Sequence, residues 1–410
     1  MVLVLKNIYG KGNDYMASNA PKSLEEVLKG ISKKYGDSVI KEGVEDLTVD
    51  GILSLGTPTF DFAVYGGIPE GRIVELCGPE GGGKTTTAFL IAASYQREEL
   101  KRNPDNPRRI VLLDNEGTAD PVWAKKLGYN MDEDAEVGTI IIRPEGQSAE
   151  EIFDMALDLL RTGEVGLLIF DSIATLVPQQ IAEESMEKYQ MGGIAKSLTR
   201  FANTAIGLLR KYKATLIAIN QVRENMTGYG DVLTTPGGRS WKHACSMRLM
   251  FKRGEFFDED GNTLTKSAES PAGHVIQVAV LKTKVCRWDR KVGYMHLNYE
   301  RGVDVLQDTL DVAIHFGFID NSVQGTYKLV NPETGEILID NDGNEIKIRG
   351  KKNLTTYFRE HPDQWKRLYD MCYEKLTQKE NPYIKSFEEM LNTSINEVIG
   401  VSDDINLEEL

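Results

Sequence analysis

The chain has 410 residues, a hydrophobic fraction of 41%, a charged fraction of 27% and a formal net charge of −14. That is an ordinary globular composition, long enough for two or three domains. No apolar stretch approaches the roughly 18 residues of a membrane span, and the start Met1-Val-Leu-Val-Leu-Lys-Asn is too short and unpatterned for a signal peptide. Cys77, Cys245, Cys286 and Cys372 are too scattered for a zinc site or a disulfide framework, which fits a reducing cytoplasm.

Residues 1–20 have little periodicity and read as a loose arm. Ser23-Leu-Glu-Glu26 is a capping box, in which Ser23 and Glu26 each satisfy an orphan N–H of a first helical turn. Leu24, Val27, Leu28 and Ile31 then form one apolar face, with Gly36 as a C-terminal stop. This short helix lies outside the main core. Its face suits packing on its own domain or on a neighbouring subunit, and the sequence leaves both open.

The most specific signal follows. Gly78-Pro79-Glu80-Gly81-Gly82-Gly83-Lys84-Thr85 is a complete G-x-x-x-x-G-K-T loop between the apolar run Ile73–Cys77 and the helix-like stretch from Thr86 to Ala93. In a strand–loop–helix context, glycine backbone N–H groups and the helix N-terminus converge on phosphates. Lys84 is expected to reach the β- and γ-phosphates and Thr85 to hold Mg²⁺, with Thr86 beside them. The ligand is a nucleoside triphosphate with Mg²⁺.

From about residue 50 to 300, apolar runs alternate with helical stretches, as in an α/β sheet covered on both faces. The runs are Ile73–Cys77, Ile110–Leu113, Thr139–Ile142, Gly166–Phe170 and Thr215–Ile219, and Val275–Leu281 extends the sheet. Ligands in such sheets lie beyond the carboxyl ends of the strands. Asp171, closing one run, is the natural second carboxylate for Mg²⁺. Glu116 stands just beyond another run, placed to orient and deprotonate an attacking water; Asp114 is its rival, and spacing does not choose between them. Gln221 is placed to hydrogen-bond a γ-phosphate and so to sense hydrolysis.

After about 305 the pattern changes to short strands, Thr326–Val330, Ile337–Ile339 and Glu345–Ile348, and then to helices, Leu354–Glu360 and Gln364–Leu376, divided near Pro362. The expected division is therefore an arm with one helix (1–48), an α/β core that carries the phosphate loop (49–304), a small α/β domain (305–395) and an acidic tail (396–410). Charge is uneven. Eleven Lys or Arg lie between Lys196 and Arg253 against only Glu224 and Asp231, while the last ten residues carry four acids and no base. A basic middle with an acidic end suits nucleic-acid binding.

At this point the sequence resembles the RecA family of recombinases. The matching stretches are Gly71–Thr86, Asp114–Pro121, Phe170–Pro178, Ile219–Arg223, Thr234–Gly238 and Lys282-Thr-Lys284, in family order. The resemblance implies a RecA-like P-loop ATPase core with a central, mostly parallel twisted sheet, an N-terminal polymerisation helix ending Lys33-Lys-Tyr-Gly36, and a small C-terminal α/β domain. It implies that Glu116 rather than Asp114 activates water, that Asp120 and Trp123 border the adenine, and that Lys282 and Lys284 reach a neighbouring subunit's γ-phosphate. It also implies two DNA-contacting segments, about Gln179 to Gly193 and Arg223 to Gly238. Their candidate groups are Met191, Gly192, Gly193, Arg200, Val222, Arg223, Gly237, Gly238, Arg239 and Lys242, with Met191 and Val222 as apolar wedges between bases. The first segment carries Glu183, Glu184 and Glu187, so it does not bind phosphate by charge.

Two departures stand out: His243 where the bacterial family has an aromatic residue, and Pro236 at a threonine-like position. The function implied is an ATP-dependent recombinase that forms a filament on single-stranded DNA and pairs it with homologous duplex, with single-strand-binding and loader proteins as further partners. Its place is the cytoplasm, or the host cytoplasm for a phage-encoded relative. The rivals are a hexameric replicative helicase on the same core and a non-motor ATP-binding mediator.

Overall fold

The computed structural model describes residues 23–35, 51–179, 193–224, 233–265, 267–286, 288–331, 334–339 and 343–377. The chain divides into two compact units, Met1–Thr48 and Val49–Leu410. In the first, helix α1 (Leu24–Tyr35) begins with the expected reciprocal cap: Ser23 N donates to Glu26 Oε2 at 3.0 Å and Glu26 N to Ser23 Oγ at 3.2 Å. Acids in its first turn and Lys33 and Lys34 in its last complement the helix dipole. Leu24, Val27 and Leu28 are exposed. Gly36, the expected stop, lies outside the described residues.

In the second unit, β1 (Ile52–Leu53) pairs antiparallel with β2 (Ile68–Pro69), bracketing α2 (Pro58–Ala63). Strands and helices then alternate: β3 (Ile73–Gly78), α3 (Lys84–Arg102), β4 (Arg109–Asp114), α4 (Pro121–Lys126), β5 (Thr139–Ile142), α5 (Ala149–Arg161), β6 (Val165–Asp171), α6 (Gly193–Tyr212) and β7 (Thr215–Gln221). A short antiparallel pair, β8 (Arg223–Glu224) and β9 (Leu233–Thr234), leads to α7 (Gly238–Ala244). After it come β10 (Met247–Phe257), β11 (Thr263–Leu264), β12 (Gly273–Thr283), β13 (Val292–Asn298) and β14 (Gly302–Val303). The C-terminal segment holds α8 (Val305–His315), β15 (Ile319–Asp320), β16 (Thr326–Leu329), β17 (Lys347–Arg349), α9 (Lys351–Glu360) and α10 (Pro362–Thr377).

One ten-stranded sheet organises this unit, in the order β14-β13-β12-β10-β3-β7-β6-β4-β5, with β11 paired to β10. From β10 to β5 every pairing is parallel, and from β10 to β14 every pairing is antiparallel. The parallel strands are apolar on both faces because helices cover both. On one face Val74, Leu76, Leu112 and Ile217 meet Phe89, Ile91 and Tyr95 of α3. On the other, Val111, Leu168 and Phe170 meet α5 and α6, where the Phe153 and Phe201 rings stack with centroids 4.7 Å apart. From Ile110 to Leu113, from Leu167 to Phe170 and from Leu216 to Ile219, residues alternate between these two clusters, as a period of two requires.

The segment after 305, expected as a separate small domain, has its own three-stranded sheet, β15-β16-β17. It nevertheless shares a buried cluster with the core, in which Phe62, Met250 and Ala279 contact Leu310, Phe316, Phe358 and Cys372. Thr59 Oγ1 donates to Asp308 Oδ1 at 2.9 Å and Tyr373 OH to Asp61 Oδ2 at 2.5 Å, tying α8 and α10 to α2. The change of character near 305 marks a helix start, capped by Asp304, rather than a gap in packing. The strands expected around Ile337–Ile339 and Glu345–Ile348 reduce to the bridges Val330–Ile337 and Ile339–Glu345 and to β17. The acidic tail lies outside the described residues.

Candidate nucleotide site and its surroundings

The phosphate-loop motif follows the carboxyl end of β3. Gly78 has φ 151° and Gly83 φ 94°. A Cβ on Gly78 would collide with the Phe251 carbonyl of β10, and one on Gly83 with the Ile276 side chain. Glycine is therefore required both by the turn and by the close approach of neighbouring strands. Gly83 also caps α3 without a side-chain acceptor, leaving the first-turn N–H groups to face the loop. Pro79, Glu80 and Gly81 are exposed, Gly82 is buried, and Thr86 is half-buried. Lys84 Nζ donates to Gly78 O at 3.0 Å and Pro79 O at 2.7 Å. Burial lowers its pKa, opposed by the nearby Asp171 carboxylate.

Beside the loop, Thr85 Oγ1 donates to Asp171 Oδ2 at 2.8 Å. Burial pushes the Asp171 carboxyl up to about 6, with repulsion from Glu116 and Asp114 adding to it and the Thr85 hydrogen bond opposing it. The Asp171–Ser172 peptide is cis. Ser172 Oγ donates to Glu116 Oε1 at 2.6 Å, and Gln221 Nε2 donates to the same oxygen at 3.2 Å. Asp114 is turned away into its own loop, accepting from Thr118 N at 3.1 Å, Ala119 N at 3.3 Å and Arg143 Nε at 3.0 Å. The strand-end residues Glu116, Asp171 and Gln221 thus form one group with Thr85 and Lys84. A glycine-lined loop over a helix N-terminus, backed by a hydroxyl and a carboxylate, fits a triphosphate with its Mg²⁺.

Asp120 Oδ1 caps α4, accepting from Val122 N at 2.8 Å and Trp123 N at 3.2 Å. Trp123 packs half-buried against the α3-side cluster, and its Nε1 donates to Thr86 Oγ1 at 3.3 Å. The indole therefore stands beside the first turn of α3.

Lys282 and Lys284 lie elsewhere. Strand β12 runs antiparallel to β10, so its carboxyl end is at the amino ends of the parallel strands, opposite the phosphate loop. Lys282 Nζ donates to Lys242 O and, at 3.2 Å, to His243 O; Lys284 Nζ donates to His243 O. Both amines meet at the carbonyl end of α7. Partial burial, then repulsion from Lys284 and Arg248, lowers Lys282 to about 8.

Of the expected DNA-contacting groups, Gly193 opens α6, and Arg200, Arg223 and Arg239 are exposed. Lys242 is half-buried on α7. Gly237 and Gly238 hold left-handed conformations, φ 107° and 70°, at the start of α7. Val222, expected as an apolar wedge, instead packs half-buried against the cluster joining the core to the C-terminal segment. It lies one residue beyond the end of β7, within reach of that cluster. Met191 and Gly192 lie outside the described residues.

Ser172 and Arg143 carry no local signal, because their contacts with Glu116 and Asp114 depend on folded proximity. Glu75 is different. The signal there was present: a lone acid inside the apolar run Ile73–Cys77, and Glu75 is fully buried.

Among the described residues no helix is long and apolar enough to cross a membrane. A family model described as the RecA N-terminal domain matches residues 22–304. Protein RecA of Fusobacterium nucleatum subsp. nucleatum is 32% identical over 333 residues, covering 76% of this chain and 81% of that protein. Protein RecA of Thermus aquaticus is 31% identical over 353 residues, covering 85% and 92%. Protein RecA of Ectopseudomonas oleovorans is 31% identical over 362 residues, covering 87% and 93%.

Proposed function

Because the chain belongs to the RecA family of recombinases, we propose that it hydrolyses ATP while assembled head to tail on single-stranded DNA, and that it catalyses homologous pairing and strand exchange. The observation that carries this reading is the placement of Lys282 and Lys284 at the opposite end of the sheet from Lys84, Asp171 and Glu116. A site split between opposite ends of one sheet is complete only between copies related head to tail, and such contacts build a helix or a ring.

The phosphates lie on the Gly78–Thr86 loop, with Lys84 on the β- and γ-oxygens. Thr85 and Asp171 hold Mg²⁺, which when bound neutralises charge on the triphosphate. Glu116, steadied by Ser172 and Gln221, accepts the proton of the attacking water. Gln221 reports the state of the γ-phosphate. Asp120 and Trp123 border the adenine, the indole by stacking. Lys282 and Lys284 from the neighbour stabilise the transferred charge, as an arginine finger does elsewhere. The segments flanked by Gly193 and by Gly237-Gly238, with Arg200, Arg223, Arg239 and Lys242, hold the DNA backbone, so base pairing and not side chains tests sequence. The partners are single-stranded DNA, homologous duplex and further copies of the chain, in a reducing cytoplasm.

A hexameric helicase ring shares the core but does not call for the capped polymerisation helix together with the lysine pair. A non-motor mediator does not call for Glu116 or the basic loops. The test is ATP turnover with and without single-stranded DNA, and electron microscopy of the DNA complex. Turnover rises with DNA in the wild type; in Glu116→Gln it falls by about 10²–10⁴-fold while filaments remain. Turnover indifferent to DNA, with only rings or monomers on the grid, would sink the proposal.

A further inference from the structure

Glu75 lies in the middle of β3, with β7 on one side and β10 on the other, and its carboxylate is fully buried. A buried carboxylate persists where several donors surround it. Here the donors come from three different elements. Oε1 accepts from Asn220 Nδ2 of β7 at 2.7 Å and from Trp241 Nε1 of α7 at 2.8 Å, and Oε2 accepts from Arg248 Nε of β10. Two of these partners continue to the root of the second DNA-binding segment: Arg248 Nη2 donates to Thr235 Oγ1 at 3.1 Å and Asn220 Nδ2 to Pro236 O at 3.1 Å.

Asn220 precedes Gln221, which touches Glu116. Trp241 sits in α7, one residue before the carbonyls that hold Lys282 and Lys284. Arg248 is the cross-strand partner of Lys282 in the β10–β12 register. Asn220 Oδ1 is buried without a protein partner, so its amide is oriented only through its donor side, toward Glu75 and Pro236. A flipped amide would set oxygen against two acceptors.

We propose that Glu75 is a positioning residue that couples the root of the second DNA-binding segment to both halves of the ATP site, Gln221 in its own subunit and the Lys282–Lys284 pair presented to the next. This inference rests on the DNA-stimulated ATPase reading above. A displacement of Thr235 or Pro236 cannot be taken up locally. It moves Arg248 and Asn220 against one shared carboxylate, and through them the strand ends and the α7 terminus. Glu75 touches neither DNA nor nucleotide in this scheme, and it acts only through the groups it holds.

The test is steady-state ATP turnover with saturating single-stranded DNA and without DNA, for wild type, Glu75→Gln and Trp241→Phe, with melting temperature and DNA affinity measured alongside. Glu75→Gln presents an amide where all the neighbours are donors, and Trp241→Phe removes one donor while keeping an aromatic ring. The expected result is a stimulation ratio lowered about tenfold in Glu75→Gln, within the usual range of coupling between sites, and about threefold in Trp241→Phe, just below that range. DNA-free turnover and DNA affinity should stay within about twofold, below the smallest usual coupling. An unchanged ratio in both variants overturns the inference. So does an equal fall of stimulated and DNA-free turnover in step with melting temperature, since that is a purely structural role. If Glu75→Gln does not fold, Trp241→Phe decides alone by the same ratio. A wild type that DNA does not stimulate overturns the functional reading itself, an outcome visible before any variant is made.

Discussion

The two ends of the parallel sheet differ in sign. At the carboxyl ends, Asp171, Glu116 and Asp114 crowd together, and burial with mutual repulsion holds Asp171 near 6. At the amino ends, Lys282 and Lys284 converge on the same helix terminus, and burial with mutual repulsion holds Lys282 near 8. Burial and like-charged neighbours oppose the charged form of Asp171 at one end and of Lys282 at the other. Groups perturbed in opposite directions at opposite ends are what the proposed site divided between copies requires.

The largest test of that contrast removes one end at a time. Lys282→Ala with Lys284→Ala should lower DNA-stimulated turnover by about 10²-fold while each subunit still binds nucleotide. Mixed in equal amounts with Glu116→Gln chains, it should recover roughly a quarter of wild-type turnover, because random neighbours join an intact cradle to intact lysines at that share of contacts. No recovery on mixing would place both ends in one self-contained site.

A second test uses pH. Asp171, raised to about 6, loses its charge as pH falls through that value, and Lys282, lowered to about 8, loses its charge as pH rises through that one. The pH profile of kcat/KM, which reports the free subunit, should therefore be bell-shaped between these limits. Lys282→Arg, which does not titrate in this range, should abolish the alkaline limb and leave the acid limb in place.

The smallest effect is on stability. The native Asp171 carboxyl lies near 6 against an ordinary 3.8. The folded state thus binds the extra proton, and stability without metal falls as pH rises through this window. Asp171→Asn should raise the metal-free melting temperature at pH 7.5 by an amount worth at most about 3 kcal/mol, and leave it unchanged near pH 3. Calorimetry at the two pH values checks this, and stabilisation at both would remove the charge argument.

Much of this arrangement could be read from the chain because the signals are local. The apolar runs became β3 to β7 within a residue or two, and Gly78–Thr85 became the strand–turn–helix its pattern describes. Ser23 and Glu26 made their cap because both partners lie within one turn. Strand β10 was harder to see, since Arg248, Lys252 and Arg253 gave it the look of a basic surface. The choice between Asp114 and Glu116 was not open to spacing, because it depends on Arg143, Ser172 and Gln221 arriving from three other segments. The C-terminal segment looked independent because its turns are local, whereas its apolar faces are spent on Phe62 and Met250, far earlier in the chain.

The position of β3 in the sheet has a consequence for how the molecule is made. Its two neighbours are β7 and β10, and the side chains that satisfy Glu75 stand 145 and 173 residues further along. The Gly78 turn rests on Phe251, whereas β10, β12 and β13 find one another as sequence neighbours. Pairings across long separations form late. During synthesis the nucleotide cradle is thus one of the last features to take shape, although its motif emerges from the ribosome early. A chain cut short before β10 is left with the phosphate-loop sequence but without the strand on which its Gly78 turn rests.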